Sequence, residues 1–240
     1  MQQPSTPIIG MIVPPAAGLV PADGARLYPG LPFIASGLGL GSVTPAGYDA
    51  VIESVVGHAR RLQERGAAAV SLMGTSLSFY RGAAFNTALT EAMREATGLP
   101  CTTMSTAVVN GLRALGLRRV ALATAYIDDV NERLAAFLAE EGIAAAGCRS
   151  LGITGVDAMA RVDTDTLVDL CLRAAEAAPD CDGILLSCGG LLTLDAIPEV
   201  ERRVGLPVVS SSPAGFWDAV RLAGGGVQAA PGYGRLFSAS

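Results

Sequence analysis

Short apolar runs of strand length alternate along the chain with longer segments whose apolar residues recur every three or four positions. The runs are rich in Val, Ile, Leu and Ala, which is typical of buried parallel strands. They predict strands over 8–13, 67–73, 99–103, 119–126, 143–150, 184–188 and 207–210. The periodic segments predict helices over 44–64, 86–97, 107–115, 128–141, 163–178, 194–204 and 215–222. This alternation predicts an α/β fold with parallel sheets and right-handed crossovers.

Three segments show neither the apolar runs of strands nor the periodicity of helices. Residues 16–48 are rich in Gly and Pro and are predicted to be a long loop, with a short apolar piece at 31–35. Long loops in compact domains are often functional, so 37–43 is either a lid over a ligand or an ordinary surface excursion. Residues 152–159 are predicted to be a second loop, and the chain beyond Gly224 a tail.

An internal repeat divides the chain. Residues 98–116 align with 205–224, and the strand that ends at Gly74 then corresponds to the one that ends at Cys188. The repeat predicts two similar lobes, each a parallel sheet flanked by helices, related by a pseudo-twofold axis. The first lobe comprises 1–116, joined by the C-terminal helix and tail (214–240), and the second comprises 117–213. The carboxyl ends of both sheets then face one cleft, where a ligand is expected.

Composition narrows the classes of partner. Of the 240 residues, 50% are hydrophobic and 16% are charged, which suits a large packed core. The net charge is −5 and no block of Lys and Arg occurs, so nucleic acid is not an expected partner. No basic n-region and no apolar run of about 20 residues is present, so we expect a cytoplasmic protein without a membrane contact.

The cysteines and the histidine indicate no metal site. Five cysteines occur without a CxxC pair, which favours neither a disulfide framework nor zinc. His58 is the single histidine, and a packing role within a helix is its expected use. No metal and no organic cofactor is therefore predicted.

One cysteine has a distinctive setting. Cys188 ends an apolar strand and is followed by Gly189 and Gly190, so a thiol is presented at a strand end where a backbone can approach a ligand. The alternative is a small buried cysteine in a tight turn.

The two-lobed pattern with a thiol at a strand end resembles the aspartate/glutamate/hydantoin racemase superfamily. Those racemases carry a cysteine on each wall of the cleft, whereas this chain has Gly74 at the first position. With glycine at this position, the chain resembles the decarboxylating members of the superfamily. The motifs that carry the resemblance are Val13-Pro14-Pro15, Gly74-Thr75-Ser76, Thr124-Ala125-Tyr126, Ser187-Cys188-Gly189-Gly190 and Gly215-Phe216-Trp217.

The resemblance implies a carboxy-lyase that needs no cofactor and converts α-aryl malonates into optically active arylacetic or arylpropionic acids. It implies that Cys188 protonates an enediolate on one face and that Gly74 leaves space for the aryl ring. The enediolate would be held in a dioxyanion hole by Thr75, Ser76, Tyr126 and the backbone of Gly189. The departing carboxylate would lie in an apolar pocket formed by Pro14, Leu40, Val43, Val156 and Met159.

Two alternatives stay open. A racemase or isomerase of the same superfamily would need a second acid or base opposite Cys188. A non-catalytic carboxylate-binding protein would also have two lobes around a cleft. A small molecule is the predicted partner in each case, and the oligomeric state and the protonation state of Cys188 are left open.

Overall fold

The computed structural model describes residues 6–224 and 226–238. Within these residues the chain forms two four-stranded parallel sheets. Their strands are β1 (Ile8–Val13), β2 (Phe33–Gly37), β3 (Ala67–Leu72), β4 (Cys101–Thr103), β5 (Arg119–Thr124), β6 (Ala144–Ser150), β7 (Gly183–Ser187) and β8 (Val208–Ser210).

Helices cover the sheets and connect their strands. The helices are α1 (Ala22–Leu27), α2 (Pro45–Asp49), α3 (Val55–Glu64), α4 (Thr75–Phe79), α5 (Ala83–Thr97), α6 (Met104–Ala114), α7 (Asp128–Glu140), α8 (Val156–Met159), α9 (Thr164–Glu176), α10 (Ala196–Val204) and α11 (Ser211–Leu222), with short 3₁₀ turns at Ile52–Ser54 and Arg235–Phe237.

The two sheets repeat one topology. The first has the order β2-β1-β3-β4 and the second β6-β5-β7-β8, and every neighbouring pair is parallel. The predicted α/β fold with two similar lobes is confirmed. Because β3 and β7 occupy equivalent places, the residues that follow them, near Gly74 and Cys188, stand at equivalent sheet edges.

Apolar spacing explains how the helices attach to the sheets. In α3 the residues Val55, Ala59 and Leu62 are fully buried at intervals of four and three, so one stripe of the helix faces β1 and β3. Gly10 in β1 lets Leu62 approach, since a Cβ there would lie 3.1 Å from Leu62 Cβ. His58 is buried on this helix and its Nδ1 lies 2.8 Å from Ser36 Oγ, in keeping with a packing role.

The segment 16–48 is not the long loop that the sequence predicts. It contains α1 and the edge strand β2, which pairs with β1 from Phe33 to Gly37. The prediction was wrong because β2 ends in the small residues Ala35, Ser36 and Gly37, which show no apolar run. Its backbone hydrogen bonds to β1 make it a strand.

The predicted helix 44–64 is three pieces, namely α2, a 3₁₀ turn and α3. Gly47 and the β-branched Val51 and Ile52 have low helix propensity, and the chain leaves the α conformation at Val51. Other helices begin earlier than predicted: α5 at Ala83, α6 at Met104 and α11 at Ser211.

Two further irregular segments carry structure. Residues 156–159 of the predicted loop form α8, and α4 begins where only the end of a strand is predicted. The tail packs back on the molecule: Leu236 is buried, and the Ala230 N–H donates to Leu27 O. Residues 1–5 of the predicted first lobe, and 225, 239 and 240 of the predicted tail, lie outside the described residues.

Helix α11 follows the last strand of the second sheet but packs against α1, α6 and β3 of the first. The predicted boundary between 116 and 117, and the placement of 214–240 with the first lobe, stay predictions. Across the described part of the chain, no helix is both long and apolar enough to cross a membrane.

Candidate active site

One cavity of about 240 Å³ opens where strands of both sheets end. Its walls include ten of the eleven residues predicted for the site: Pro14, Leu40, Val43, Gly74, Thr75, Ser76, Val156, Met159, Cys188 and Gly189. The eleventh, Tyr126, is buried and is not among the residues that line this cavity. The residues come from five separate stretches of sequence, so only the tertiary fold brings them together.

Cys188 directly follows β7, in a segment that we call the Cys188 turn (residues 188–192). The Leu191 N–H donates to the Cys188 carbonyl and closes the turn. The thiol is 4% exposed and its Sγ lies 3.1 Å from Met159 Sδ, to which it donates. The thiol thus lines the cavity wall with its proton directed to a thioether.

Burial makes this thiol a weaker acid than an ordinary cysteine. Removal from water raises the pKa of Cys188 to about 11, and the N–H groups of Gly190 and Leu191 and the Tyr126 hydroxyl lower it only in part. The thiol is therefore protonated at neutral pH in the free protein. A protonated thiol has the form required of a proton donor.

On the first sheet, the equivalent segment is the Gly74 turn (residues 74–78), which passes from β3 directly into α4. Two fully buried hydroxyls hold it. The Ser105 hydroxyl donates to the Thr75 carbonyl at 2.8 Å, and the Ser78 hydroxyl donates to Ser105 Oγ at 2.7 Å. These bonds join the turn to the N-terminus of α6 and leave its backbone little freedom.

The Thr75 hydroxyl faces a second methionine. It donates to Met104 Sδ at 2.9 Å, and both side chains are buried. Met104 also packs on the other turn, since a Cβ on Gly189 would lie 2.9 Å from the same sulfur. A side chain at position 189 would therefore have to displace the end of the Met104 side chain, which packs on both turns.

Tyr126 follows β5 and is buried, with its ring edge-on to Phe79. Its Oη lies 3.2 Å from Ser187 Oγ, and Ser187 Oγ lies 3.3 Å from Ser211 Oγ. Burial raises the pKa of Tyr126 well above its usual value, with the Cys188 thiol as a further cause in the same direction. The phenol is therefore neutral and available as a donor.

Sequence reasoning missed Tyr48. Its side chain is fully buried, and within residues 6–224 and 226–238 its Oη has no hydrogen-bond partner. Burial raises its pKa, the Ser76 hydroxyl lowers it in part, and the Cys188 thiol raises it further. A buried phenol without a partner is costly, so Tyr48 is a candidate donor to a ligand, although it is not among the residues that line the cavity of Cys188. The only signal in the sequence was a tyrosine in a segment that looked like an ordinary helix.

The apolar wall is assembled from both lobes. The Leu40 N–H donates to Pro14 O and so joins Leu40 to the first lobe. The Val43 N–H donates to Thr154 O and so joins Val43 to the second lobe. Val156 and Met159 come from α8. The predicted segment 37–43 therefore lies against the cavity. Its movement as a lid stays a prediction.

The other thiols are placed differently. Burial raises the pKa values of Cys101, Cys148 and Cys171, and none of these residues lines the cavity. Among the described residues, no group of three or more His, Cys, Asp and Glu side chains is placed to hold a metal ion.

The chain is similar to known proteins over almost its whole length. The family model described as arylmalonate decarboxylase matches residues 9–237. Arylmalonate decarboxylase of Bordetella bronchiseptica is 88% identical over 240 residues, with 100% of both chains covered.

Solved structures are similar in fold. A liganded Gly74→Cys, Cys188→Ser double variant of arylmalonate decarboxylase is 87% identical, with a TM-score of 0.97 over 98% of this chain and 100% of that chain. The maleate isomerase Iso of Pseudomonas putida S16 has a TM-score of 0.90 at 24% identity, over 98% of this chain and 100% of the isomerase. The second likeness extends to the fold alone.

Proposed function

The chain belongs to the arylmalonate decarboxylase family, and from this premise we propose that it removes CO2 from α-aryl malonates and returns a proton to one face of the product. One observation carries the proposal. A buried, protonated Cys188 thiol faces an apolar cavity that Gly74 lines from the other sheet, with hydroxyl donors beside it.

The retained carboxylate would bind at the polar end of the cavity. Loss of CO2 places negative charge on its two oxygens as an enediolate forms, so donors must already point there. Thr75, Ser76 and Tyr126 supply hydroxyls and Gly189 supplies a backbone N–H, as the family resemblance implies. Tyr48 adds a donor that is unpartnered within the described residues. On substrate binding, the Thr75 hydroxyl would donate to a carboxylate oxygen, a strong acceptor, in place of the Met104 thioether, a weak one.

The departing carboxylate would lie against the apolar wall formed by Pro14, Leu40, Val43, Val156 and Met159. A carboxylate there loses hydration and finds no donor on these side chains, whereas CO2 is neutral. The site therefore favours the product of bond cleavage over the bound dianion at this position.

Proton delivery completes the reaction. The electron pair of the broken C–C bond enters the enediolate, CO2 leaves, and the α-carbon then takes the proton of Cys188 Sγ. The thiol becomes a thiolate, which regains a proton from water before the next turnover. Because Gly74 has no side chain, position 74 supplies no acid to the opposite face of the planar intermediate.

The racemase alternative would require an acid or base at position 74. Glycine supplies neither, so the one-sided reaction is favoured. The absence of a cofactor requirement, the cytoplasmic location and the lack of a nucleic-acid or membrane partner remain predictions from the sequence.

Turnover of phenylmalonate and its α-methyl derivative in deuterated water tests the proposal. We expect the intact protein to release CO2 and to give one labelled enantiomer from the α-methyl substrate. Replacement of Cys188 by Ala should lower turnover by about 10²–10⁴-fold, because the positioned proton donor is lost.

The matched control is Cys148→Ala, which removes a partly exposed thiol outside the cavity and should leave turnover unchanged. Equal loss in both variants would show that the defect lies in folding. No CO2 release by the intact protein would overturn the proposed function.

A further inference from the structure

Three large apolar side chains are markedly exposed in the part of the chain that the structure describes. They are Leu19 (74% exposed), Leu192 (51%) and Val227 (39%). Single exposed apolar residues are ordinary on protein surfaces. Two of these three, however, line the cavity that holds Cys188, and they come from different lobes.

Ordered turns hold both leucines at this place. Leu19 follows Gly18, which has a φ of +60° and whose N–H donates to Pro15 O. Leu192 ends the Cys188 turn and precedes Thr193, whose hydroxyl lies 2.7 Å from Ser210 Oγ. Their exposure therefore results from defined backbone structure on each side of the cavity.

An ion pair joins the two segments. The Arg26 guanidinium of α1 contacts both carboxylate oxygens of Asp195, with Nη1 3.0 Å from Oδ2. Arg26 follows Leu19 by seven residues and Asp195 follows Leu192 by three. A fork-like contact of this kind fixes geometry even where its net energy is small.

Burial divides the cavity. The groups expected to hold the substrate carboxylate, around Thr75 and Cys188, are buried, whereas Leu19 and Leu192 are exposed to solvent. An aryl malonate has its carboxylates at one end and its arene at the other, so carboxylates held in the buried part leave the arene extending toward the mouth. The distal edge of the arene should therefore meet the two leucines.

We propose that Leu19 and Leu192 are specificity-determining residues that cover the distal edge of the substrate's aryl group at the cavity mouth. This inference rests on the proposed function. It requires that the two leucines contact a long arene more than a short one. A fused bicyclic ring extends farther into the cavity mouth than a phenyl ring does.

The test compares phenylmalonate with 2-naphthylmalonate in Leu19→Ser and Leu192→Ser. We expect the kcat/KM ratio of naphthyl to phenyl substrate to fall about fivefold in each variant, through KM, because apolar contact is lost where the larger arene binds. Leu192→Met, which keeps an apolar contact, should retain the ratio of the parent protein.

Val227→Ser is the control, since it removes an exposed apolar residue that does not line the cavity. An unchanged ratio in both leucine variants, or an equal fall in the Val227 variant, would overturn the inference. A parent protein that turns over neither substrate would instead contradict the proposed function. Turnover of both substrates with unaltered ratios would contradict only the role of the leucines.

Discussion

The Gly74 turn and the Cys188 turn occupy equivalent places on the two sheets, but they are built for different tasks. After β3 the chain enters α4 at once, whereas after β7 it turns without a helix until α10 begins at Ala196. The first turn presents hydroxyls to the cavity and the second presents a thiol and two glycines.

The partners of the two turns differ in the same way. In the aligned repeat, Ser105 corresponds to Ser212 and Ser78 to Leu192. Ser105 and Ser78 hydrogen-bond to each other and to the Gly74 turn. Ser212 Oγ has no partner among the described residues, and Leu192 is exposed at the cavity mouth.

This difference follows from the two parts of the proposed reaction. Donors to an enediolate must be fixed before charge develops, and a network of buried hydroxyls provides that rigidity. A proton donor must instead keep its proton until charge is present, and apolar burial provides that. Two copies of one supersecondary design thus supply opposite electrostatic environments.

Among substitutions other than that of Cys188, removal of a donor from the Gly74 turn should have the largest effect. Thr75→Val keeps the shape of the side chain but loses its hydroxyl, and we expect kcat to fall about 10²-fold, by analogy with other oxyanion-hole donors. Steady-state CO2 release measures the change. Thr90→Val, which alters a buried threonine of α5, is the control and should keep kcat. A variant at Thr75 with normal kcat would remove this residue from the dioxyanion hole.

Alanine substitutions at the equivalent residues Ser105 and Ser212 test whether only the Gly74 turn depends on a buried serine. Ser105→Ala should lower kcat about tenfold with little change in KM, because the Thr75 carbonyl loses a buried donor and the Gly74 turn gains freedom. The loss should also destabilise the fold by about 1–3 kcal/mol, measured by urea unfolding. Ser212→Ala removes a hydroxyl that acts on the pKa of the buried Asp23 carboxyl and not on the Cys188 turn, and it should change kcat less than twofold. Equal effects at both positions would contradict the asymmetry.

The smallest of these effects should be the pH dependence of kcat/KM that arises from the Cys188 thiol, since little change is expected near neutral pH. Since burial raises the pKa of Cys188 to about 11, the free protein keeps its proton donor through pH 9. We expect kcat/KM for phenylmalonate to be constant between about pH 7 and 9, because the thiol keeps its proton there. It should fall toward pH 11 as the thiol loses that proton. A thiol titration between pH 6 and 8 would contradict a buried neutral donor.

Stability provides a second measurement of the same pKa. An unfolded chain loses the Cys188 proton near the ordinary pKa of 9.0, whereas the folded protein keeps it until about 11. The unfolded state is therefore favoured as pH rises between these values. The free energy of unfolding of Cys188→Ala should fall less over this interval than that of the parent protein.

Much of the architecture was predictable because buried strands and amphipathic helices leave periodic patterns, and the repeat located Gly74 opposite Cys188. Strand β2 and helix α1 were not predictable, since small residues, Gly and Pro conceal them. Ten of the eleven predicted site residues line one cavity. Their roles came from family resemblance, because an apolar residue such as Val156 looks the same in a core and in a pocket.

The sequence by itself determined the alternation of strands and helices, the two-lobed repeat and the place of the thiol at a strand end, because each depends on local chain order and on the side chains themselves. Tertiary structure alone decided that burial raises the pKa of the Cys188 thiol to about 11 and that Tyr48 is buried with no hydrogen-bond partner among the described residues. It also decided that Leu19 and Leu192 line one mouth. The physical reason is that desolvation, hydrogen bonding and contact depend on neighbours that are distant in the chain, and only the packed lobes bring those neighbours together.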